Sequence, residues 1–305
     1  MRVMLTGGTG MVGRNMLAHP LAERCEVIAP ARADLDLSIE GDVRRFLQEF
    51  QPDVVIHAAG KVGGIKANIA DPVGFYHHNL LIGINLLLAA RDAGVRKVIN
   101  LGSTCMYPRN AVNPLVETSI LTGELEPTNE GYALAKIGVQ RLGQYLSSSD
   151  ADLDVKTIIP CNLYGPFDKF DELNAHLIPA VLRKLHVARE QGDESVTIWG
   201  DGTARREFMY AGDLAGLLWR CCSEFDSVPA LMNACVGHDF SITDYYEIAS
   251  QIVGYEGRFI HDTSQPTGMQ QKLASSDLAT KWGWSAETDL HEGLTRTYEY
   301  FRVDR

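Results

Sequence analysis

No apolar run among the 305 residues reaches the roughly 18 to 20 residues that a membrane span needs, so no membrane contact is expected. Positive charge is scarce: 28 Lys and Arg face 39 Asp and Glu, for a formal net charge of -11. That balance excludes a general nucleic-acid binder but is compatible with a local basic pocket for a phosphate ligand. The six cysteines (Cys25, Cys105, Cys161, Cys221, Cys222 and Cys235) form no CxxC pair and no His/Cys spacing for a metal, so no metal site is expected. Most of them read as small buried hydrophobes. There is no basic-then-apolar leader before the strand-like run Arg2 to Thr6, and cytoplasmic residence is the expectation. Low-complexity tracts, internal repeats and charged linkers are also lacking, which speaks against a freely tethered second domain.

Present instead is an alternation. Short apolar runs at Val3–Leu5, Val27–Ala29, Val54–Ile56, Lys97–Leu101 and Val155–Ile159 read as strands covered on both faces. Helical stretches at Met11–Ala18, Ile39–Phe50, Leu80–Ala93 and Thr128–Ser147 separate them. This βαβα rhythm predicts a Rossmann-type, doubly wound parallel sheet over residues 1–165. Past about residue 165 the rhythm weakens, with helix-like runs at 173–188 and 241–253. Residues 166–305 read as a smaller, mainly substrate-binding lobe with some segments returning to the first domain.

Directly after the first strand comes Thr6-Gly7-Gly8-Thr9-Gly10-Met11-Val12-Gly13. Glycines spaced in this way permit a tight turn, close approach of the backbone to a pyrophosphate, and packing of the following helix on the sheet. The first free N–H groups of that helix, at Met11 and Val12, complete an anion site. A dinucleotide is therefore expected on Gly7, Gly10, Met11, Val12 and Gly13. At the end of the second strand stands Arg32, with no acid where NAD's ribose hydroxyl would prefer one. Arginine suits the 2′-phosphate of NADP, and a solvated surface arginine is the bland alternative.

Tyr132-Ala133-Leu134-Ala135-Lys136 places a phenol and an ammonium on one helix face. A neighbouring ammonium is expected to lower the phenol's pKa, making Tyr132 a usable general acid toward a ketone oxygen. Lys136 can also hold the nicotinamide ribose. Ser103, at the C-terminal edge of the fourth strand, can hydrogen-bond the same carbonyl. Together with the glycine turn and His57-Ala58-Ala59-Gly60, these residues resemble the extended branch of the short-chain dehydrogenase/reductase superfamily.

Longer strings resemble one family within it. Lys61–Ile65, Gly102–Pro108, Leu125–Glu130, Asn162–Pro166 and Arg206–Phe208 are similar to GDP-L-fucose synthases, over nearly the whole chain and most weakly after about residue 260. The resemblance implies NADPH-dependent 3,5-epimerisation and 4-keto reduction of a GDP-4-keto-6-deoxy-hexose, most simply giving GDP-L-fucose, by a homodimer. Cys105 and His176 match that family's epimerising pair, since a C4 ketone acidifies the protons on C3 and C5. Pro160, Asn162 and Leu163 match the stretch flanking the nicotinamide. Lys184, Trp199 and Arg206 match substrate contacts; for the last two, a core tryptophan and a surface arginine are the alternatives. Three departures stand out. Thr9 occupies a turn position where the family commonly has arginine, which leaves NAD or dual use open. Lys184 replaces an arginine, keeping the charge without the planar fork. Pro266-Thr267-Gly268 replaces Pro-Asp-Gly. The last two leave room for a related GDP-4-keto sugar, a dideoxyhexose or heptose, with one epimerisation, two or none before reduction. A non-catalytic dinucleotide-binding regulator is the reading from a different class.

Overall fold

The five apolar runs pair side by side, every pair parallel. The structure is a computed structural model and describes residues 1–149, 152–171, 175–264 and 269–303. The first part of the chain runs β1 (Arg2–Thr6), α1 (Met11–Ala18), β2 (Glu26–Ile28), α2 (Glu40–Phe50), β3 (Val54–His57), α3 (Ile65–Ala70), α4 (Pro72–Asp92), β4 (Lys97–Leu101), α5 (Glu130–Ser149) and β5 (Asp154–Pro160). The rest runs β6 (Asn162–Tyr164), α6 (Leu177–Gln191), β7 (Ser195–Trp199), β8 (Arg205–Arg206), β9 (Phe208–Tyr210), α7 (Ala211–Ser223), β10 (Leu231–Ala234) and β11 (Phe240–Ser241). It then continues through α8 (Ile242–Val253), β12 (Arg258–Asp262), β13 (Gln271–Lys272), α9 (Asp277–Lys281) and α10 (Leu290–Val303).

The main sheet has six strands in the order β10-β5-β4-β3-β1-β2. Its winding reverses between β1 and β3, opening a crevice at the carboxyl ends of those strands. Side chains alternate between the two faces. Val3, Leu5, Val54, Ile56, Ile99 and Leu101 share a buried cluster with Leu214, Leu217 and Leu218 of α7. Met4, Val55, Val98 and Val155 join Val43 and Leu47 of α2, Leu86 and Leu87 of α4, and Val139 of α5. Burial on both faces explains why these strands read as continuous apolar runs. Two elements of the sheet layer come from beyond residue 165: strand β10, and helix α7, whose Trp219 Nε1 donates to the Met16 carbonyl at 3.0 Å. A separate core unites α6, β7, α8 and α10 through Leu182, Leu185, Val196, Ile198, Tyr245, Val253, Leu294 and Phe301.

Helix α4 corrects the sequence reading twice. It starts at Pro72 rather than near Leu80, because Asp71 caps it by accepting from Gly74 N at 2.9 Å and proline fits its first turn. Its 21 residues also contain a window of mean hydropathy 1.3, so by length and composition it is apolar enough to cross a membrane. Half of that window is buried inside the fold, where α4 packs between α2 and α5. A helix covered on two sides needs an apolar surface wider than one stripe.

Candidate active site

Gly7 takes φ +75°, and a Cβ there would lie 2.7–2.8 Å from the backbone of Ala58 and Ala59. A Cβ on Gly13 would stand 2.2 Å from the Gly7 carbonyl oxygen. Two of the three spaced glycines are thus required by the turn itself. At Gly10, which caps α1 without a side-chain hydrogen bond, the nearest such atom is 3.4 Å away. Free helix N–H groups therefore open onto a space that side chains leave clear. This cradle fits a pyrophosphate. Arg32 is exposed on the same cleft, and Asp34 is turned back onto the Ala31 N–H at 3.2 Å. Asp36 also lines the cleft close enough to Arg32 to feel its charge, and its carboxylate accepts hydrogen bonds from Ser38 N and Oγ at 2.9 and 2.8 Å.

The cleft, about 1690 Å³, runs from the glycine turn past the ends of β4 and β5 to the groove between α6 and β7. It is lined by Ser103, Cys105, Tyr132, Lys136, Pro160, Asn162, Leu163, His176, Lys184, Trp199 and Arg206, so the residues singled out in the sequence meet in one place. Lys136 is buried on α5, and its Nζ donates to the Leu101 carbonyl at 2.8 Å. Burial brings the Lys136 pKa down to about 8. The Tyr132 phenol is hydrogen-bonded to Ser103. Its pKa is not lowered, as the spacing with Lys136 predicts. Burial pushes it above the ordinary phenol value, the neighbouring Cys105 adds to this, and the Ser103 hydrogen bond opposes it. The lysine does not pull it down: its Nζ lies 5.9 Å from the centre of the Tyr132 ring and donates to a backbone carbonyl instead.

Cys105 follows β4 in a short 3-10 turn capped by Ser103, whose Oγ accepts from Cys105 N at 3.3 Å. Two further groups converge on its sulfur: Asn129 Nδ2 at 3.2 Å and Lys272 Nζ at 3.7 Å. His176 sits at the N-cap of α6, and burial with the nearby Lys169 charge lowers its pKa, so the imidazole is neutral at pH 7. In the other lobe, Trp199 is 49% exposed on the cleft wall, which rules out the core reading. Lys184 Nζ donates to the Thr197 carbonyl. Arg206 Nη1 donates to the Arg205 carbonyl at 2.7 Å, and burial lowers the guanidinium's pKa.

Asn129 and Lys272 were not singled out by sequence reasoning. Asn129 lies inside one of the family-like strings and was recoverable there. Lys272 follows Met269–Gln271 after the Pro266–Gly268 departure, but nothing in the sequence tied it to Cys105. It reaches Cys105 because β13, a two-residue strand, pairs parallel with β8 and sets Lys272 beside Arg206. The departure at Pro266–Gly268 lies outside the described residues.

With this geometry in place, residues 3–237 match the profile of the NAD dependent epimerase/dehydratase family. The chain belongs to that family. Within it, the chain is 49% identical to a GDP-L-colitose synthase of Yersinia pseudotuberculosis, over 99% of this chain and 98% of the relative. It is 43% identical to a GDP-L-fucose synthase of Azorhizobium caulinodans, over 98% of this chain and 96% of that one. A GDP-mannoheptose C4 reductase from Campylobacter jejuni, solved with NADP bound, superposes with a TM-score of 0.88 at 28% identity. The match covers 99% of this chain and 98% of that one.

Proposed function

We propose that this epimerase/dehydratase family member uses NADPH to reduce the C4 ketone of a GDP-4-keto-6-deoxy-hexose after epimerisation at C3 and C5, giving GDP-L-fucose. The observation that carries this is the convergence of Ser103, Cys105, Tyr132, Lys136 and His176 on one cleft that also holds the glycine turn. Residues 1–165 form the dinucleotide domain, and 166–305 form mainly the substrate lobe, with α7 and β10 returning to the sheet. Gly7, Gly10, Met11, Val12 and Gly13 hold the cofactor pyrophosphate, Arg32 its 2′-phosphate, and Lys136, Pro160, Asn162 and Leu163 its nicotinamide end. When bound, the cofactor supplies a hydride to C4.

The chain's own groups manage the protons. A phenol with a raised pKa keeps its proton at neutral pH and donates it to the C4 oxygen, so Tyr132 serves as general acid without being lowered. Ser103 holds that oxygen, and Lys136 serves the nicotinamide ribose of the cofactor. The neutral His176 imidazole and the Cys105 thiol remove and return protons at the carbons beside the ketone. Lys184, Trp199 and Arg206 bind the nucleotide-diphosphate part.

A second reading keeps the site and changes the sugar. The 49% identity to a GDP-L-colitose synthase favours a related GDP-4-keto sugar, such as a dideoxyhexose. Incubation with NADPH and GDP-4-keto-6-deoxy-D-mannose in deuterated water, read by NMR, separates the two. Deuterium at both C3 and C5 of a reduced product is expected, and label at one carbon or neither overturns the double epimerisation.

The proposal includes a cytoplasmic homodimer. Six cysteines, all free, fit a reducing compartment. Val73 and Tyr76 on α4, with Leu134 and Tyr145 on α5, are exposed apolar side chains on two packed helices. Light scattering should read twice the 33.6 kDa chain mass.

A further inference from the structure

Lys66 is a cation on the cleft wall that the sequence reading did not reach. Lys66, on the short helix α3 of the first domain, places its Nζ 4.7 Å from the centre of the Trp199 ring on β7 of the other lobe. Both side chains are exposed and both line the cleft. The contact therefore spans the cleft between the sheet domain and the α6/β7 groove. A cation over an exposed indole gains only a weak attraction. That is enough to bias the lysine's position and too little to hold it against a doubly charged ligand.

The neighbouring cations are differently engaged. Lys184 Nζ donates to the Thr197 carbonyl, and Arg206 Nη1 to the Arg205 carbonyl at 2.7 Å. Both belong to the second lobe. Among the described residues Lys66 makes no hydrogen bond or ion pair, so its three N–H donors stay available to an incoming anion. In a chain with a net charge of -11, a cationic group brought to the wall of a ligand cleft from the opposite domain stands out.

We propose that Lys66 is a substrate-binding residue that moves from the Trp199 ring onto the diphosphate of a nucleoside-diphosphate sugar. The ligand is then gripped from both lobes: Lys184 and Arg206 on one side, Lys66 on the other. This rests on the GDP-sugar reading above. The contact with Trp199 keeps the ammonium at the mouth of the cleft when no ligand is present.

The test is calorimetric titration of the NADP-loaded protein with GDP and, separately, with guanosine. Lys66→Met should weaken GDP about tenfold, the loss expected for one charge-assisted hydrogen bond, and leave guanosine unchanged. Lys66→Arg should restore most of the GDP affinity. GDP binding by Lys66→Met at wild-type strength overturns the proposal. So does equal weakening of GDP and guanosine, which would make the lysine a prop for the indole. Wild-type protein that binds NADP but not GDP overturns the GDP-sugar reading, and this proposal with it.

Discussion

At the scale of single residues, the chemistry of the site turns on two groups whose pKa values move in opposite directions. Burial raises Tyr132 and lowers Lys136, so at neutral pH the phenol is neutral and the amine, at about 8, is still mostly charged. Tyr132→Phe removes the proton donor, and reduction should slow by about 10²–10⁴-fold with the fold intact. Stopped-flow loss of NADPH absorbance checks it. The lysine sets a pH limit. Its charged form exists below its folded value and is lost as pH rises through about 8, so kcat/KM for NADPH should fall about tenfold per pH unit above that point. Lys136→Arg should move this limb to higher pH. For the epimerising pair, Cys105→Ser should stop solvent deuterium entering the sugar while leaving reduction of an already epimerised ketone. The YxxxK spacing was legible in the sequence. The sign of the phenol shift was not, because it depends on how deeply α5 is covered.

At the scale of elements, the turn between β1 and α1 separates structural from ligand-facing glycine. Gly13→Ala drives a methyl to within 2.2 Å of a carbonyl oxygen and should cost about 1–3 kcal/mol of stability. Gly10→Ala meets nothing closer than 3.4 Å and should leave the melting temperature unchanged, yet raise KM for NADPH because the methyl enters the space the pyrophosphate takes. Thermal melts with and without NADPH read both effects. The glycine spacing announced the turn, but it could not say which glycine serves the fold and which the ligand. The same limit applies to α4. The sequence reading began this helix near Leu80, whereas Asp71 as cap and Pro72 in the first turn start it eight residues earlier.

At the scale of the whole molecule, Glu207 ties the sheet domain to the substrate lobe. Its carboxylate is buried and accepts from Val236 N at 2.9 Å, Gly237 N at 2.7 Å and Ala274 N at 3.0 Å. Burial pushes its pKa up to about 7 against those three donors. A carboxyl raised above its unfolded value contributes stability that is full below about pH 4.5 and lost as pH climbs through about 7. Denaturant unfolding from pH 5 to pH 8 should therefore show falling stability, with the slope reduced in Glu207→Gln. Glu207→Ala should cost about 3 kcal/mol or more at any of these pH values, since it orphans buried N–H groups. The sequence by itself determined the five sheet-forming runs, the glycine turn and the family-like site strings. Each of these is written in the spacing of neighbouring residues, and local backbone sterics and strand alternation act over that range. Only the tertiary structure decided that β10 closes the sheet, that Lys272 reaches the Cys105 sulfur, that Lys66 meets Trp199 across the cleft, and that the Tyr132 phenol stays protonated. Those outcomes depend on burial and on distances between segments far apart in the chain, which no local pattern encodes.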